Sequence, residues 1–386
     1  MSDLVRRARA VAKEVAARHA DAVDRDARFP REAIAAAREA RLLGAMVPRD
    51  FGGESAPLAE IAAVAQELAQ HCAAAGMVYA MHQIQVACLV DHGQGSAWHR
   101  ALLARLAEEQ LLLASATTEA GIGGDVRSSS CAVERTGDRF ALTKNASVIS
   151  YGADADGILV TARRAADAPP SDQVIAAVLK PDTSLERTNG WDTLGMRGTC
   201  STGFQLKAEG SAEQILPQPY ADILARTMLP VTHIVWAAVW LGIASNAVAR
   251  ASAFVRAEAR KKPGTTPPGA LRLAEAVAMQ QEMKATVLAA LQRYEAARGD
   301  DEKLTSLSFG IAMNTLKTTS SQAVVKIVNH ALLVCGLAGY RNDTDYSLGR
   351  HLRDAHSAAL MVSNDRILGN TANLLLIHRD NTGLLG

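Results

Sequence analysis

Apolar residues recur at helical spacing through roughly the first 110 residues, where Ala, Leu, Arg and Glu dominate. Ile34, Ala37 and Leu42 define one such face after Pro30, whose missing N–H costs little in the first turn of a helix. The segment VPRDFGG (47–53) breaks the pattern with Pro48, Gly52 and Gly53 and predicts a loop between helices. Between about 111 and 215 the period falls to two. Cys131 and Val133, then Phe140 and Leu142, alternate across Thr136-Gly137-Asp138, as hairpin strands do around a tight turn. Short apolar runs at 158–160 and 174–179, bounded by Gly, Pro and Asp, extend this β region. The helical period returns from about 220 and is broken at KKPGTTPPG (261–269) and again at 336–349. The pattern predicts a helical domain (1–110), a β-domain (111–218) and a second helical domain (219–386).

Composition narrows the class. The 386 residues suffice for two or three packed units without disulfides or a structural metal, and 41 Lys+Arg against 40 Asp+Glu leave no net field for nucleic acid. Five scattered cysteines make no CxxC or Cys/His ligand spacing, which reads as reduced core thiols in a cytoplasmic protein. The charged N-terminus lacks a signal-like apolar region. The longest apolar run, residues 234–244, is too short to span a bilayer and predicts a buried helix.

Local motifs carry the reading further. FPREAI (29–34), RLLGAMVPRDFGG (41–53), TTEAGIGGDV (117–126), ASVISYGADADGILVTAR (146–163), LGMRGTCST (194–202), GLAGY (336–340) and LGRHLRDA (348–355) stand in order along the chain. In order and spacing they resemble the signatures of the acyl-CoA dehydrogenase superfamily. The resemblance implies a mainly α fold with a central β-barrel-like domain, a C-terminal four-helix bundle, and a homodimer or homotetramer.

It also implies a flavin, FAD in most members, with FMN or reduced flavin as a co-substrate in some. By position, Thr118 would meet the pyrimidine edge of the ring, while Gly123 and Gly124 lie in the loop that meets the pyrophosphate; Gly124 stands where the family has a serine. Backbone N–H groups of such a loop can still hold phosphate. Val148 replaces the aromatic residue that stacks on the ring, and Ser150 keeps the hydroxyl near N5. Arg260 resembles the arginine that crosses a dimer interface to the pyrophosphate, and reads equally as a solvated helix-end cation. Gly336 and Gly339 belong to the element that touches the partner's adenosine, although Leu333 and Leu337 occupy its usual Gln and Gly positions.

The base that removes a proton beside the thioester carbonyl is missing. Nine residues after Arg353 the family's glutamate is replaced by Val362, and the alternative position aligns with Thr232, in a stretch with no carboxylate. Losing a positioned base costs on the order of a hundred- to ten-thousandfold in rate. Three candidates remain: Asp365, three residues on and on the same face if this stretch is helical, His82 and His233. Each has a plain alternative, as a surface partner of Arg366 or as a hydrogen-bonded core histidine.

The expected function is therefore flavin-dependent oxidation of an acyl thioester, or of a small molecule that has replaced it, with an electron acceptor as partner. A two-component flavin monooxygenase served by a flavin reductase is the alternative, because RDAH and Asn364-Asp365 resemble that branch, although Met361 stands where it has a histidine. A non-catalytic binding relative is the third reading.

Overall fold

The computed structural model describes residues 1–122 and 125–379. Helices α1 (Asp3–Val11), α2 (Ala17–Arg25), α3 (Arg31–Glu39), α4 (Leu58–His71), α5 (Ala73–His92) and α6 (Ala97–Glu109) come first. Strands β1 (Leu113–Ala116), β2 (Glu134–Thr136), β3 (Arg139–Ile149), β4 (Gly157–Arg163), β5 (Gln173–Leu179), β6 (Thr183–Arg187) and β7 (Thr202–Ser211) follow. The chain then returns to helix with α7 (Tyr220–Ile223), α8 (Leu229–Lys261), α9 (Ala270–Ala297), α10 (Asp301–Thr305), α11 (Leu307–Cys335), α12 (Leu337–Tyr340), α13 (Gly349–His356) and α14 (Asn364–Leu375).

The strands form two sheets, β1-β4-β5 and β2-β3-β7-β6. The expected hairpin is present, with Thr136 paired to Arg139 across a turn in which Gly137 has φ +62°. In the first sheet β1 runs parallel to β4, and β4 antiparallel to β5. Both β4 and β5 are buried along nearly their whole length, which explains their continuous rather than alternating apolar pattern.

The run 234–244 lies inside α8 and is buried throughout. Helix α8 packs most extensively against α11 and α4. Helix α5 and the 220–261 stretch have the length and hydropathy of a membrane span, but their most apolar windows are 94% and 83% buried, so they serve as core helices here. All five cysteines are free, and only Cys200 is not fully buried.

Candidate functional site

Two of the flavin-motif segments meet directly. The register of β3 with β7 slips between Ala146 and Ile149, which takes Ser147 and Val148 out of the ladder. The Val148 carbonyl is then free to accept the Thr118 hydroxyl proton at 2.8 Å. Glu119 anchors the same segment from beneath. Its carboxylate accepts Ser129 Oγ at 2.8 Å and the Ser130 and Cys131 N–H groups at 3.1 and 2.8 Å, with Lys144 Nζ 3.5 Å away. Burial alone would raise its pKa, but the serine hydrogen bonds and Lys144 outweigh burial and lower it. Lys144 is fully buried and also donates to the Thr161 carbonyl at 2.6 Å. This pair was missed in the sequence, where the only signal was a lysine at an inward-facing position of an alternating strand. Gly123 and Gly124 lie outside the described residues.

Ser150 begins a chain of hydroxyls. Its Oγ is 2.8 Å from Ser201 Oγ, which is 2.8 Å from Thr199 Oγ1, and Thr199 Oγ1 lies 2.9 Å from the Met196 carbonyl. A carbonyl only accepts, so the Thr199 proton goes to Met196. Ser201 must then donate to Thr199, and Ser150 to Ser201. The free valence of Ser150 is thus a lone pair, as is that of Thr118.

The turn at 194–202 is locked to two distant segments. Met196 N–H donates to the buried Asp354 carboxylate at 2.7 Å, and Arg353 donates to the Leu194 carbonyl at 3.1 Å while pairing with Asp24. A Cβ on Gly195 would lie 2.6 Å from Asp354 N and closer still to the Arg353 carbonyl. Gly198 is equally confined, by Val23 and Ala74. Burial pushes the Asp354 carboxyl up to about 6. The RDA motif is therefore a clamp between the turn and the N-terminal helices.

Of the proposed bases, His82 is corrected. It is fully buried, and both ring nitrogens are engaged: Nε2–H donates to the Leu43 carbonyl at 2.9 Å and Nδ1 accepts Leu113 N–H at 3.0 Å. Burial pushes its pKa down to about 4. It pins the 41–53 motif to β1, with no lone pair left for proton transfer.

His233 donates through Nδ1–H to the Met313 carbonyl at 2.9 Å, which leaves Nε2 as the basic nitrogen. Burial, joined by the charge of Lys317, pushes its pKa down to about 4. The premise for Asp365 also fails. Val362 has φ +51°, in the left-handed region that a β-branched residue rarely enters, and Ser363 is the non-helical N-cap of α14. Val362 and Asp365 therefore share no helix face, and Asp365 is exposed in the first turn of α14.

A cation fixes this turn. Lys317 Nζ donates to the Val362 carbonyl at 2.5 Å and to Asn364 Oδ1 at 2.7 Å, and sits 5.8 Å from the Trp240 ring centroid. Burial pushes its pKa down to about 8. Its signal in the sequence was a lysine on the helix face of Met313, Ser320 and Val324.

Arg260 is exposed near the end of α8. Gly336 has φ +55° and Gly339 is buried against Cys335, while Leu333, Leu337 and Tyr340 are 61%, 72% and 74% exposed. A cavity of about 410 Å³ lies between the β region and the helices, walled by Tyr220, Leu224, Leu229, Phe309 and Leu374 with Gln173 and Arg127 among its lining residues. Gln173 Nε2 donates to the Val126 carbonyl at 3.2 Å, tying this wall to the 117–126 segment, and its buried Oε1 has no partner among the described residues.

Residues 2–110 match the family description "Acyl-CoA dehydrogenase, N-terminal domain", and residues 223–368 match "Acyl-CoA dehydrogenase, C-terminal domain". The chain is 26% identical to the probable acyl-CoA dehydrogenase FadE25 of Mycobacterium tuberculosis, over 93% of this chain and 90% of that protein. Among solved structures, FMN-bound TdsC from Paenibacillus sp. A11-2 superposes with a TM-score of 0.85 at 19% identity, over 99% of each chain. Butyryl-CoA dehydrogenase from Megasphaera elsdenii gives 0.78 at 20% identity, over 97% of this chain and 99% of that one.

Proposed function

The chain belongs to the acyl-CoA dehydrogenase family, and on that footing we propose that it is a flavin-dependent oxidoreductase holding its flavin ring between the 117–126 and 146–152 segments. The observation that carries this is the junction of the two segments at the Thr118–Val148 hydrogen bond, with the Ser150 hydroxyl two residues on. The residues fit the ring edge, because Thr118 and Ser150 each keep a lone pair that would accept from a ring N–H. A bound flavin supplies the two-electron chemistry. This chain's own part is to orient the ring, through Thr118 and Ser150, and to hold the turn at Val362 in place, through Lys317. The apolar cavity beside Val126 suits a compact, largely apolar substrate or the acyl end of a thioester. Arg260, Gly336 and Gly339, with exposed Leu333, Leu337 and Tyr340, form the face through which a second copy would complete the cofactor site and the dimer or tetramer. FAD is the family's cofactor, and the FMN-bound neighbour supports FMN as the alternative.

One observation favours the monooxygenase reading over the dehydrogenase one. N3 of a flavin carries hydrogen in either redox state, but N5 carries it only when the flavin is reduced. The Ser150 proton is spent within the protein, so its hydroxyl would accept from the N5–H of a reduced flavin, whereas donating to oxidised N5 would require turning the whole hydroxyl chain round. That reversal gives up one hydrogen bond, worth about 0.5–1.5 kcal/mol, or at most about a tenfold preference. Supply of reduced flavin by a reductase matches this edge, and so does the absence of a carboxylate at position 362. Anaerobic reduction of bound flavin by an acyl-CoA would support dehydrogenation. Oxygen-dependent product formation with added reduced flavin would support monooxygenation. Failure to bind either redox form would sink both.

A further inference from the structure

A second cavity, lined by none of the flavin-segment residues, has a different chemistry. Its volume is about 330 Å³, and it lies between the C-terminal end of α2, the middle of α8 and the 342–353 segment. Four guanidinium groups line it (Arg25, Arg250, Arg350 and Arg353) against the carboxylates of Asp21 and Asp24. Arg353 is matched by Asp24, and Arg25 by Asp26 outside the cavity. Arg350 pairs with the highly exposed Asp21, at 3.2 Å, and its charge also acts on the buried Asp354, although its own side chain is just 12% exposed. Arg250 hydrogen-bonds neutral groups, the Asn246 side chain at 2.9 Å and the carbonyls of Asp345 and Ser347 at 2.9 and 3.0 Å, while the charges of Asp21 and Asp345 reach it from further off. Burial first, then the charge of Arg350, holds the Arg250 guanidinium below its ordinary range. An arginine cannot shed its proton at physiological pH, so the two neighbouring guanidinium charges of Arg250 and Arg350 stay in place and favour an anion.

The cavity also holds an unsatisfied buried group. His351 is 4% exposed, and its Nε2 lies 2.7 Å from Asn246 Oδ1. That oxygen already accepts from Arg250 Nε, which fixes it as an acceptor and makes His351 Nε2 the protonated nitrogen. Nδ1 is then a buried lone pair, and it has no partner among the described residues. Burial and the two neighbouring arginines keep the ring neutral. A fitting ligand must offer oxygens to the guanidinium groups and one O–H to Nδ1. A partly protonated phosphate does both at neutral pH, whereas a sulfate or a carboxylate ion offers no O–H.

We propose that this cavity binds a phosphate group, held by Arg250 and Arg350 and read by His351 Nδ1. The site shares no residue with the flavin segments, so it stands or falls independently of the flavin reading. The phosphate comes either as the free ion or as the end of a phosphate monoester.

The experiment is a thermal-melting titration of the full-length protein with inorganic phosphate, adenosine 5′-monophosphate and sulfate, at constant ionic strength set by chloride. A saturable rise in melting temperature with phosphate is expected, with sulfate at least about tenfold weaker for want of the O–H to Nδ1. Arg350→Gln and Arg250→Gln should each weaken phosphate at least tenfold, while Arg341→Gln, which removes an exposed pair with Asp343, should not. Arg350→Lys keeps the charge and serves if the glutamine variant fails to fold; it should bind measurably more weakly, having lost the guanidinium fork. Tighter binding of the monophosphate than of the free ion assigns the site to an ester, and the reverse assigns it to the ion. No saturable effect from either, equal effects of phosphate and sulfate, or undiminished binding in the Arg250 and Arg350 variants would overturn the proposal.

Discussion

Replacing Gly195 with alanine tests the interlock of the 194–202 turn with the RDA helix. The new Cβ would lie 2.6 Å from Asp354 N and nearer still to the Arg353 carbonyl, and backbone atoms cannot swing aside as a side-chain tip can. The turn and the helix must separate by roughly 1 Å, and overpacking of this kind costs about 1–3 kcal/mol. The separation also weakens the Met196–Asp354 hydrogen bond at 2.7 Å, a bond to a buried carboxylate that contributes about 1.5–3 kcal/mol. The two effects overlap, so a loss of about 2–5 kcal/mol is expected. Urea unfolding followed by circular dichroism measures it. Gly190→Ala is the control, because its Cβ would meet nothing within 4 Å, and its effect should stay within about 0.5 kcal/mol. If Gly195→Ala is as harmless as the control, the turn is not clamped as described.

Four further outcomes follow from the structure and the missing base. The Asp354 carboxyl is raised to about 6 from 3.8, so the folded state holds its proton more tightly; this group stabilises fully below about pH 4, and that contribution, about 3 kcal/mol, is lost as pH rises through 6. Asp354→Asn should flatten the stability profile between pH 4 and 6, and an unchanged slope would refute the assignment. Ser201→Ala removes the acceptor of the Ser150 proton and frees it for oxidised flavin, so the ratio of oxidised to reduced dissociation constants should fall by up to about tenfold, and a ratio equal to wild type would contradict the hydroxyl chain. Butyryl-CoA should be oxidised slowly or not at all, and Asp365→Asn should leave turnover of the true substrate within about twofold; a hundredfold loss would restore Asp365 as the base.

The helical and strand segments were legible because burial imposes a period on the chain, and the run 234–244 announced a core helix by itself. The β region was legible as strands, but the division into two sheets was not, since alternation tells which face is buried but not which strand lies beside which. The site was legible only in part. Thr118 and Ser150 could be located by motif, but the direction of their protons depends on Val148, Ser201 and Thr199, which are brought in by a bulge and a turn. His82 looked chemical because a histidine's type shows in the sequence and its two partners, Leu43 and Leu113, do not. Asp365 was placed by assuming helix through 362, which the left-handed Val362 interrupts. Lys317 went unnoticed because a lysine in a helix usually points to water, and only packing against α8 and the 362–364 turn buries this one.

The central claim is that the 117–126 and 146–152 segments hold a flavin ring edge, and the most direct measurement is a fluorescence titration of the purified protein with flavin, run on wild type and Thr118→Val. Saturable binding is expected in wild type, weakened in the variant by about 2- to 12-fold, the equivalent of one hydrogen bond of about 0.5–1.5 kcal/mol. Absence of saturable binding, or binding indifferent to Thr118, would contradict the assignment.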